Sequence, residues 1–529
     1  MKIFKIPYPK IPLFANRDIK YIVEDPALRP FYKYPVTLAA FQNAIDDKSK
    51  ELTDRSTLVE VLKAQHSRLN IGKLVADNIE KLSLDNTFTV VTAHQPSLFT
   101  GPLFYIFKIV SAIKLARQLA AAYPNSNFVP VFISSGEDHD FAEVNHLHLF
   151  GKKLTWESGE TGSVGNMKTA SLGPILQDLK AIMGESEAAK ALYELIERIH
   201  VKNATYADAA FELAHELFKD EGLVVLNTNE ARLKRLFAPI IKEEILTQPS
   251  QQLVNQTIAK LEAVGFPSQA TPREINFFYM GDQFRERIVE ESGMFRVLNT
   301  KLVFSREEME TEIDAHPERF SPNVVMRPIY QETILPNLAY IGGGGELAYW
   351  LERKAQFEHF GLNFPVLVRR NSAMWIDAGS AKRMEKLNMS VDDLWSDTNE
   401  LVRKYLNENA ESEFSLQAEK AANKAVFEKI AEKTDKVDQS LVKTVWAEHS
   451  KAEKSIEQLE ARLVKAEKQK HETAIQQIQN LKEKLFPGGG LQERYENFIP
   501  LYLKHGPEFK RILMENLDPL EKQFVLIVD

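Results

Sequence analysis

Cysteine is absent from all 529 residues, and this absence excludes more than any other feature of the chain. No disulfide can form, no thiolate can hold a metal, and no cysteine can act as nucleophile. A reaction that passes an acyl group through an enzyme thioester is closed to it. Also missing is any run of about 20 apolar residues, the length a membrane-spanning helix needs. The opening Met1-Lys2-Ile3-Phe4-Lys5-Ile6-Pro7 has neither the apolar stretch nor the small-residue cleavage site of a secretory signal. These absences predict a cytoplasmic protein with no membrane partner. Positive charge is short as well: Lys and Arg number 66 against 74 Asp and Glu, a formal net charge of -8. A broad nucleic-acid surface needs a basic face to displace counterions, so no nucleic-acid partner is expected.

The length exceeds what one core can organise, and hydropathy patterning divides the chain into six parts. Residues 1–82 read mostly as amphipathic helix packing on the core, with helical spacing from Leu58 through Leu82. Residues 83–235 form the first part of a Rossmann-like core and 321–384 the second. Between them, 236–320 reads as an inserted connecting subdomain. Residues 385–486 are helical and charged, and 487–529 read as an α tail returning to the body. In the first part, Thr87-Phe88-Thr89-Val90-Val91-Thr92-Ala93 is a buried strand that ends at His94-Gln95-Pro96. An apolar helix follows from about Leu103 to Tyr123. A second strand, Phe128 to Ser134, runs into Ser135-Gly136-Glu137-Asp138-His139-Asp140. Strand, helix and strand within about 50 residues make a βαβ unit.

Further strands are predicted at 222–227, 277–280, 295–298, 338–341 and 364–369, and helices at about 323–334 and from Glu346. In the charged region Ile456, Leu459, Leu463 and Ala466 keep a heptad frame that Ala474, Ile478, Leu481 and Leu485 resume one position out. An upstream arm with Phe414, Ala418, Ala421, Ala425 and Ile430 is placed to pack antiparallel against it. The alternative is a single solvated surface helix.

Chemistry is concentrated at strand ends. The loop from His94 and Gln95 to Thr100 and Gly101 joins a strand end to a helix start, where free N–H groups and the helix dipole favour an anion; alternatively, His94 only braces the turn. In Glu137-Asp138-His139-Asp140, three carboxylates around an imidazole call for a cation or a proton. A substrate ammonium would supply it, with His139 as a base; alternatively, the run is a solvated turn capping a helix. His146 and His148 lie on one strand face, but that spacing does not fix a coordination sphere, and no metal is expected. Downstream, Gly342 is followed by Gly343, Gly344, Gly345 and Glu346, a loop whose glycines let backbone approach a ligand. Asn323, Arg327, Gln331 and Glu332 are expected on one helical face, with Arg327 suited to a bidentate carboxylate clamp or engaged in a surface ion pair.

Several long strings taken together resemble the bacillithiol biosynthesis cysteine-adding enzymes, a cysteine ligase family. They are Thr92-Ala93-His94-Gln95-Pro96-Ser97-Leu98-Phe99-Thr100-Gly101-Pro102-Leu103, Ser135 through Asp140 with Glu143-Val144-Asn145, Pro317 through Val325, Arg327-Pro328, Gln331-Glu332, Gly344-Gly345-Glu346 with Tyr349-Trp350, and Lys436 through Leu441. The resemblance spans almost the whole chain. It implies an α/β fold: a Rossmann-like parallel-sheet core of the HIGH-superfamily type, connecting-peptide insertions, and a long α-helical coiled coil through which two chains pair as a homodimer. It implies cysteine and glucosaminyl-malate as substrates. His94, Asp138, His139 and Asp140 would then be catalytic. Asn145, Tyr349 and Trp350 join the substrate contacts, and the malate carboxylates suit Arg327. The first βαβ unit is more distantly similar to nucleotidylyltransferases and class I aminoacyl-tRNA synthetases, although only His94 stands in the first histidine signature and no lysine-rich second one follows. Making an amide from a free carboxylate requires activation. With no enzyme thiol, ATP is the expected co-substrate, giving ADP or AMP, with no tightly bound cofactor. The glycine loop or Asp438-Gln439 is the expected nucleotide location. The competing functions are a nucleotidylyltransferase-like enzyme on another small acceptor and a non-catalytic dimeric binding protein.

Overall fold

A strand apolar on both faces belongs in the middle of a parallel sheet covered by helices. The computed structural model describes residues 1–409 and 415–529, and in it strand β1 (Thr87–His94), buried along all but its last residue, holds that place. Its companions are β2 (Asn127–Ser134), β3 (Val224–Leu226), β4 (Asn337–Gly342) and β5 (Val366–Arg369). They lie in the order β3–β2–β1–β4–β5, every neighbouring pair parallel. The chain steps outward from β1 to β3, then returns across β1 to β4 and β5. Connections at such a reversal part in opposite directions and leave a crevice beyond the carboxyl ends of β1 and β4.

Helix α1 (Phe104–Ala122) makes the β1–β2 crossover and is apolar nearly all round, as a helix held between sheet and outer layer must be. One lysine, Lys108, lies fully buried in its second turn. After β3, helix α2 (Ala231–Thr247) leads into the insertion. The insertion's sheet runs in the order Val303–Phe304, Met294–Val297, Arg285–Glu291, Phe277–Met280, Phe320–Pro322, all antiparallel. The strands expected near 277 and 295 form. The central Arg285–Glu291 had read as a polar turn, because its Arg-Glu-Arg-Ile-Val-Glu-Glu sequence shows no apolar alternation.

The helix expected from about 323 begins at α3 (Arg327–Ile334). The Asn323 side chain accepts the N–H groups of Val325 at 2.8 Å and Met326 at 3.3 Å, so a side-chain-closed turn replaces the first helical turn. Helix α4 (Gly344–Leu351) follows β4.

Two compact units are present. The first comprises Met1–Met374 and Leu491–Ile527. Its C-terminal stretch, read as an α tail, has helices at Ile499–His505 and Glu508–Asn516 and then the strand Gln523–Val528, next to an N-terminal strand at Lys2–Pro7. The Phe524-Val525-Leu526-Ile527 run supplies the β propensity. In the second unit, helices Gln417–Asp435 and Val442–Lys470 form an antiparallel hairpin, with Lys420 Nζ 2.6 Å from Glu460 and the Phe427 and His449 rings 5.3 Å apart. Phe414, expected in the same arm, lies outside the described residues. The heptad slip coincides with a break at His471 before Glu472–Leu485. Among the described residues no helix is long and apolar enough to cross a membrane.

Candidate active site

The crevice beyond β1 and β4 is a cavity of about 450 Å³. Two stretches distant in sequence converge on it: His94, Gln95, Glu137 and Asp138 from one, and Asn323, Arg327, Gly343, Gly344, Gly345, Glu346 and Tyr349 from the other. The common location that the sequence reading required therefore exists, at the sheet's topological reversal.

One wall is acidic, and cations from behind brace it. Glu137 is buried with its carboxylate 2.9 Å from Lys234 Nζ, which also donates to the Phe320 carbonyl at 2.8 Å. Asp138 accepts from Gln95 Nε2 at 2.8 Å and from Arg285 at 3.3 Å. Arg285 is itself buried, lies 3.9 Å over the Phe278 ring and donates to Ser321 Oγ at 3.0 Å. Backbone fixes the same loop. The Val164 and Gly165 N–H groups donate to the Asp138 and Gly136 carbonyls at 2.7 and 2.8 Å. A Cβ on Gly136 would come within 2.5 Å of Gly165 Cα, so only glycines allow these two segments to cross. Glu143 stands on the rim, largely exposed. Partial burial, with Asp140 and Asp138 beside it, raises its carboxyl above the ordinary glutamate value.

The opposite wall is cationic. Lys108 donates to both oxygens of Glu346 at 2.8 Å and to the Ala93 carbonyl. Against the burial that would raise it, Lys108, the Gly343 N–H and the Tyr340 hydroxyl hold the Glu346 carboxyl down at about 2. Burial presses Lys108 toward neutrality, but two short bonds to one carboxylate make the charged pair the governing form. Among the described residues Arg327 has no carboxylate partner. Its guanidinium donates to the Tyr349 and Tyr340 hydroxyls at 2.8 and 3.3 Å and to Gln331 at 3.3 Å. Arg370, paired with Glu493 at 2.8 Å, and Arg494 complete this side. Between the walls, burial, then the Lys108 ammonium, push His94 down to about 4. It is neutral at cellular pH; its Nδ1–H donates to the Gln95 carbonyl at 2.8 Å, so Nε2 is left as an acceptor.

Other sequence-predicted residues lie elsewhere. His139 is exposed and does not line the cavity; its Nδ1 accepts from Arg285 at 3.0 Å. The lone pair of that nitrogen is therefore engaged by the guanidinium and is not free for base work. Asp140 caps Phe141–Val144, the turn-capping alternative. Thr100 and Gly101 are buried in the loop behind His94. Asn145 closes a hairpin by donating to the Trp156 carbonyl at 3.3 Å. His148 stacks on Tyr495 at 3.8 Å beside His146, and among the described residues no group of three or more His, Cys, Asp or Glu is placed to hold a metal. Glu332 does not share the face of Arg327, because five helical steps of about 100° set the two roughly 140° apart; it accepts from Asn337 at 2.7 Å inside the core. Gln331 is buried and bridges Arg327 and Glu332. Trp350 is fully buried, stacked on Tyr340 at 4.5 Å. In the second unit, Asp438 caps the turn at Gln439–Leu441 by accepting from Ser440.

Lys108, Lys234, Arg285, Arg370 and Arg494 carry no role in the sequence-based expectations, and Glu143 enters them only within a string of the resemblance, with no role assigned. Lys108 left a signal, a charge inside an apolar helix that demands a counter-charge. So did Arg370, one residue past a buried strand. Arg285 left none.

A family model described as "Bacillithiol biosynthesis BshC, N-terminal Rossmann-like domain" matches residues 1–371, and one described as "Bacillithiol biosynthesis BshC, C-terminal coiled-coil domain" matches 373–528. Curated relatives named "Putative cysteine ligase BshC" include that of Flavobacterium psychrophilum, 40% identical over 99% of this chain and 98% of its own length. Those of Flavobacterium johnsoniae and Christiangramia forsetii are 39% and 38% identical, each over 99% of this chain and over 99% and 98% of their own lengths.

Proposed function

The chain belongs to the BshC family of bacillithiol biosynthesis, and from that membership and the divided cleft we propose that it joins the carboxyl group of L-cysteine to the amine of glucosaminyl-malate as an amide. The observation that carries the reading is the pairing of an acidic wall with an arginine that, among the described residues, lacks a carboxylate partner. Arg327, with Arg370 and Arg494 near it, takes the malate carboxylates, since a planar guanidinium suits a carboxylate geometrically. The acidic wall takes the ammonium groups. An amine attacks only after losing its proton, and Glu143, a rim carboxylate with raised pKa, accepts it. His94 Nε2 orients a donor on the substrate rather than serving as a strong base.

The cysteine carboxylate is activated by ATP, as an acyl phosphate with release of ADP or as an acyl adenylate with release of pyrophosphate. The amine displaces phosphate or AMP, and no enzyme atom is consumed. We assign the nucleotide to the glycine loop at the start of α4, where the helix dipole favours phosphate and glycines let it approach the backbone, because the Asp438 carboxylate is already engaged as a cap. The reaction is cytoplasmic, and two copies pair through the helical hairpin of the second unit. The exposed Val426, Ile430, Leu459 and Leu463 on that hairpin favour such pairing.

Purified chain incubated with ATP, cysteine and glucosaminyl-malate should yield a new thiol of the condensed mass and one nucleotide product per turnover. Absence of the thiol with chemically verified substrates overturns the ligase reading. Thiol formation without nucleotide turnover overturns only the activation step. Pyrophosphate release indifferent to cysteine would instead indicate nucleotidyl transfer.

A further inference from the structure

Three consecutive residues behind His94 have left-handed or otherwise positive φ: Phe99 at 45°, Thr100 at 75° and Gly101 at 64°. Gly101, with ψ -145° and with Ser97 Cβ only 2.8 Å from where its own Cβ would stand, occupies backbone that only glycine adopts. Phe99 and Thr100 have side chains, and left-handed backbone strains such residues unless the surroundings impose it. Phe99 is anchored on one side, its buried ring edge-on to His200 at 5.0 Å. That contact fixes a ring and leaves the peptide planes free.

The planes are held from a residue 398 positions beyond Phe99. Asn497 is 1% exposed. Its amide group donates to the Phe99 carbonyl at 3.0 Å and to the Gly101 carbonyl at 2.5 Å. Its own oxygen accepts from the Ile499 N–H at 2.9 Å, which fixes the amide's orientation with both donors toward the loop. The neighbouring Glu496 carbonyl accepts the Leu103 N–H at 2.7 Å, at the entrance to α1. Both ends of the strained turn are therefore tied to one short C-terminal segment. The turn in turn sets the cleft. Gly101 packs on Ser97, Ser97 Oγ lies 3.4 Å from His94 Nδ1, and Phe104, at the start of α1, packs against the His94 ring at 5.3 Å.

We propose that Asn497 is a positioning residue: its two amide donors impose the positive-φ turn at Phe99–Gly101, and through that turn hold His94 and the first residues of α1 in the cleft. The kinetic part of this assignment rests on the ligase reading above; the structural part does not. The same segment carries Arg494 into the cavity and Glu493 against Arg370, so the C-terminal stretch completes the site instead of merely covering it.

The test compares Asn497→Ala and Asn497→Asp with the parent chain. The Thr100, Gly101 and Leu103 amides are hydrogen-bonded to Ser97, Leu98 and Glu496, so amide hydrogen exchange reports the turn directly. Loss of two hydrogen bonds should speed exchange there by roughly tenfold or more in both variants, with the sheet amides unchanged. Aspartate keeps the volume and removes the donors, so it should do no better than alanine. In turnover, kcat should fall about tenfold while KM for cysteine and for glucosaminyl-malate stays within about threefold. An Asn497→Asp variant that exchanges like the parent overturns the assignment. So does an Asn497→Ala variant that loses protection across the whole first unit, or a pair of variants that open the turn with kcat intact. A parent chain that makes no thiol removes the ligase reading, and the exchange comparison still decides the role of Asn497.

Discussion

Glutamine at Glu346 changes one charge and almost no volume, and it should be among the costliest single substitutions in the first unit. Lys108 has a side chain 1% exposed, and apart from Glu346 its ammonium donates only to the Ala93 carbonyl among the described residues. Removing one partner of a buried pair costs about 3–5 kcal/mol, because the other charge stays buried without compensation. The Glu346 side chain is 28% exposed, so water in the cleft offsets part of this and about 3 kcal/mol is expected. The first unit has roughly four hundred residues; at about 2.1 cal/mol/K of unfolding entropy per residue, the loss lowers its Tm by about 3–4 °C. Lys108→Met with Glu346→Gln removes both charges, so no ion is left buried without its counter-charge. The double variant should therefore regain at least half of the lost stability. The sign with pH is also fixed. The folded-state pKa of Glu346, about 2, lies below its ordinary 4.5. The stabilisation is thus complete above 4.5 and lost as pH falls toward 2, and the difference from Glu346→Gln should be flat between pH 6 and 8. Calorimetry on the parent, both single variants and the double variant closes the cycle. A Glu346→Gln transition within 1 °C of the parent, or a double variant less stable than Glu346→Gln alone, refutes the charged-pair argument.

Glu244 gives the opposite pH signature. Burial, opposed by bonds from Ser250 and Asn276, raises it from 4.5 to about 7. Its contribution is full below 4.5 and is lost as pH rises through 7, up to about 3 kcal/mol, so Glu244→Gln should flatten the fall in urea midpoint between pH 5 and 8. Arg327→Met should raise KM for glucosaminyl-malate by about tenfold to a hundredfold, with KM for cysteine little changed; equal effects on both would detach Arg327 from the malate. Glu143→Gln should lower kcat by about a hundredfold and abolish the acid limb of the pH–rate profile. Gly165→Ala must displace the Gly136 backbone, and should cut kcat with a Tm loss of only a few degrees; unaltered kcat would show that the Glu137–Asp138 loop tolerates the shift.

The parallel core was legible because its strands are short, apolar on both faces and bounded by turn residues, and because a strand end followed by a helix start is where such sheets bind ligands. Position and residue type together point to His94, Gln95, Glu137, Asp138, Arg327 and Glu346, all of which line the one cavity. Legibility stopped where a residue's role depends on a partner remote in sequence. His139 reads as a base in its own run of carboxylates and loses its lone pair to Arg285, 146 positions away. Glu332 reads as a neighbour of Arg327 on a helical face, and Asn337 with Gln331 claims it for the core. Arg285 itself sits on a strand whose charged pattern conceals both strand and burial. The Phe99–Gly101 turn shows the same limit: glycine announces one positive φ, while those of Phe99 and Thr100 depend on an asparagine that no local pattern connects to them.

A Rossmann-like sheet provides a crevice at its reversal point regardless of chemistry, so what this crevice binds is decided by the parts added to it. The insertion supplies Arg285, which offsets Asp138, and the Phe320 carbonyl, which with Glu137 satisfies Lys234. The C-terminal stretch supplies Glu493, which engages Arg370, and Arg494. Arg285 and Glu493 each neutralise a charge on the core, and after these pairings Arg327 on one wall and Glu143 on the other still have no ion-pair partner among the described residues. An ion at a site edge that is already neutralised gains little by binding substrate, because the substrate must compete with a partner in place. One left unmatched beside a cavity gains the most, and gains it selectively from the opposite charge. The unpaired ions therefore suit a ligand anionic at one end and carrying an amine at the other, which agrees with the amino-sugar linked to a dicarboxylate that the proposed function requires.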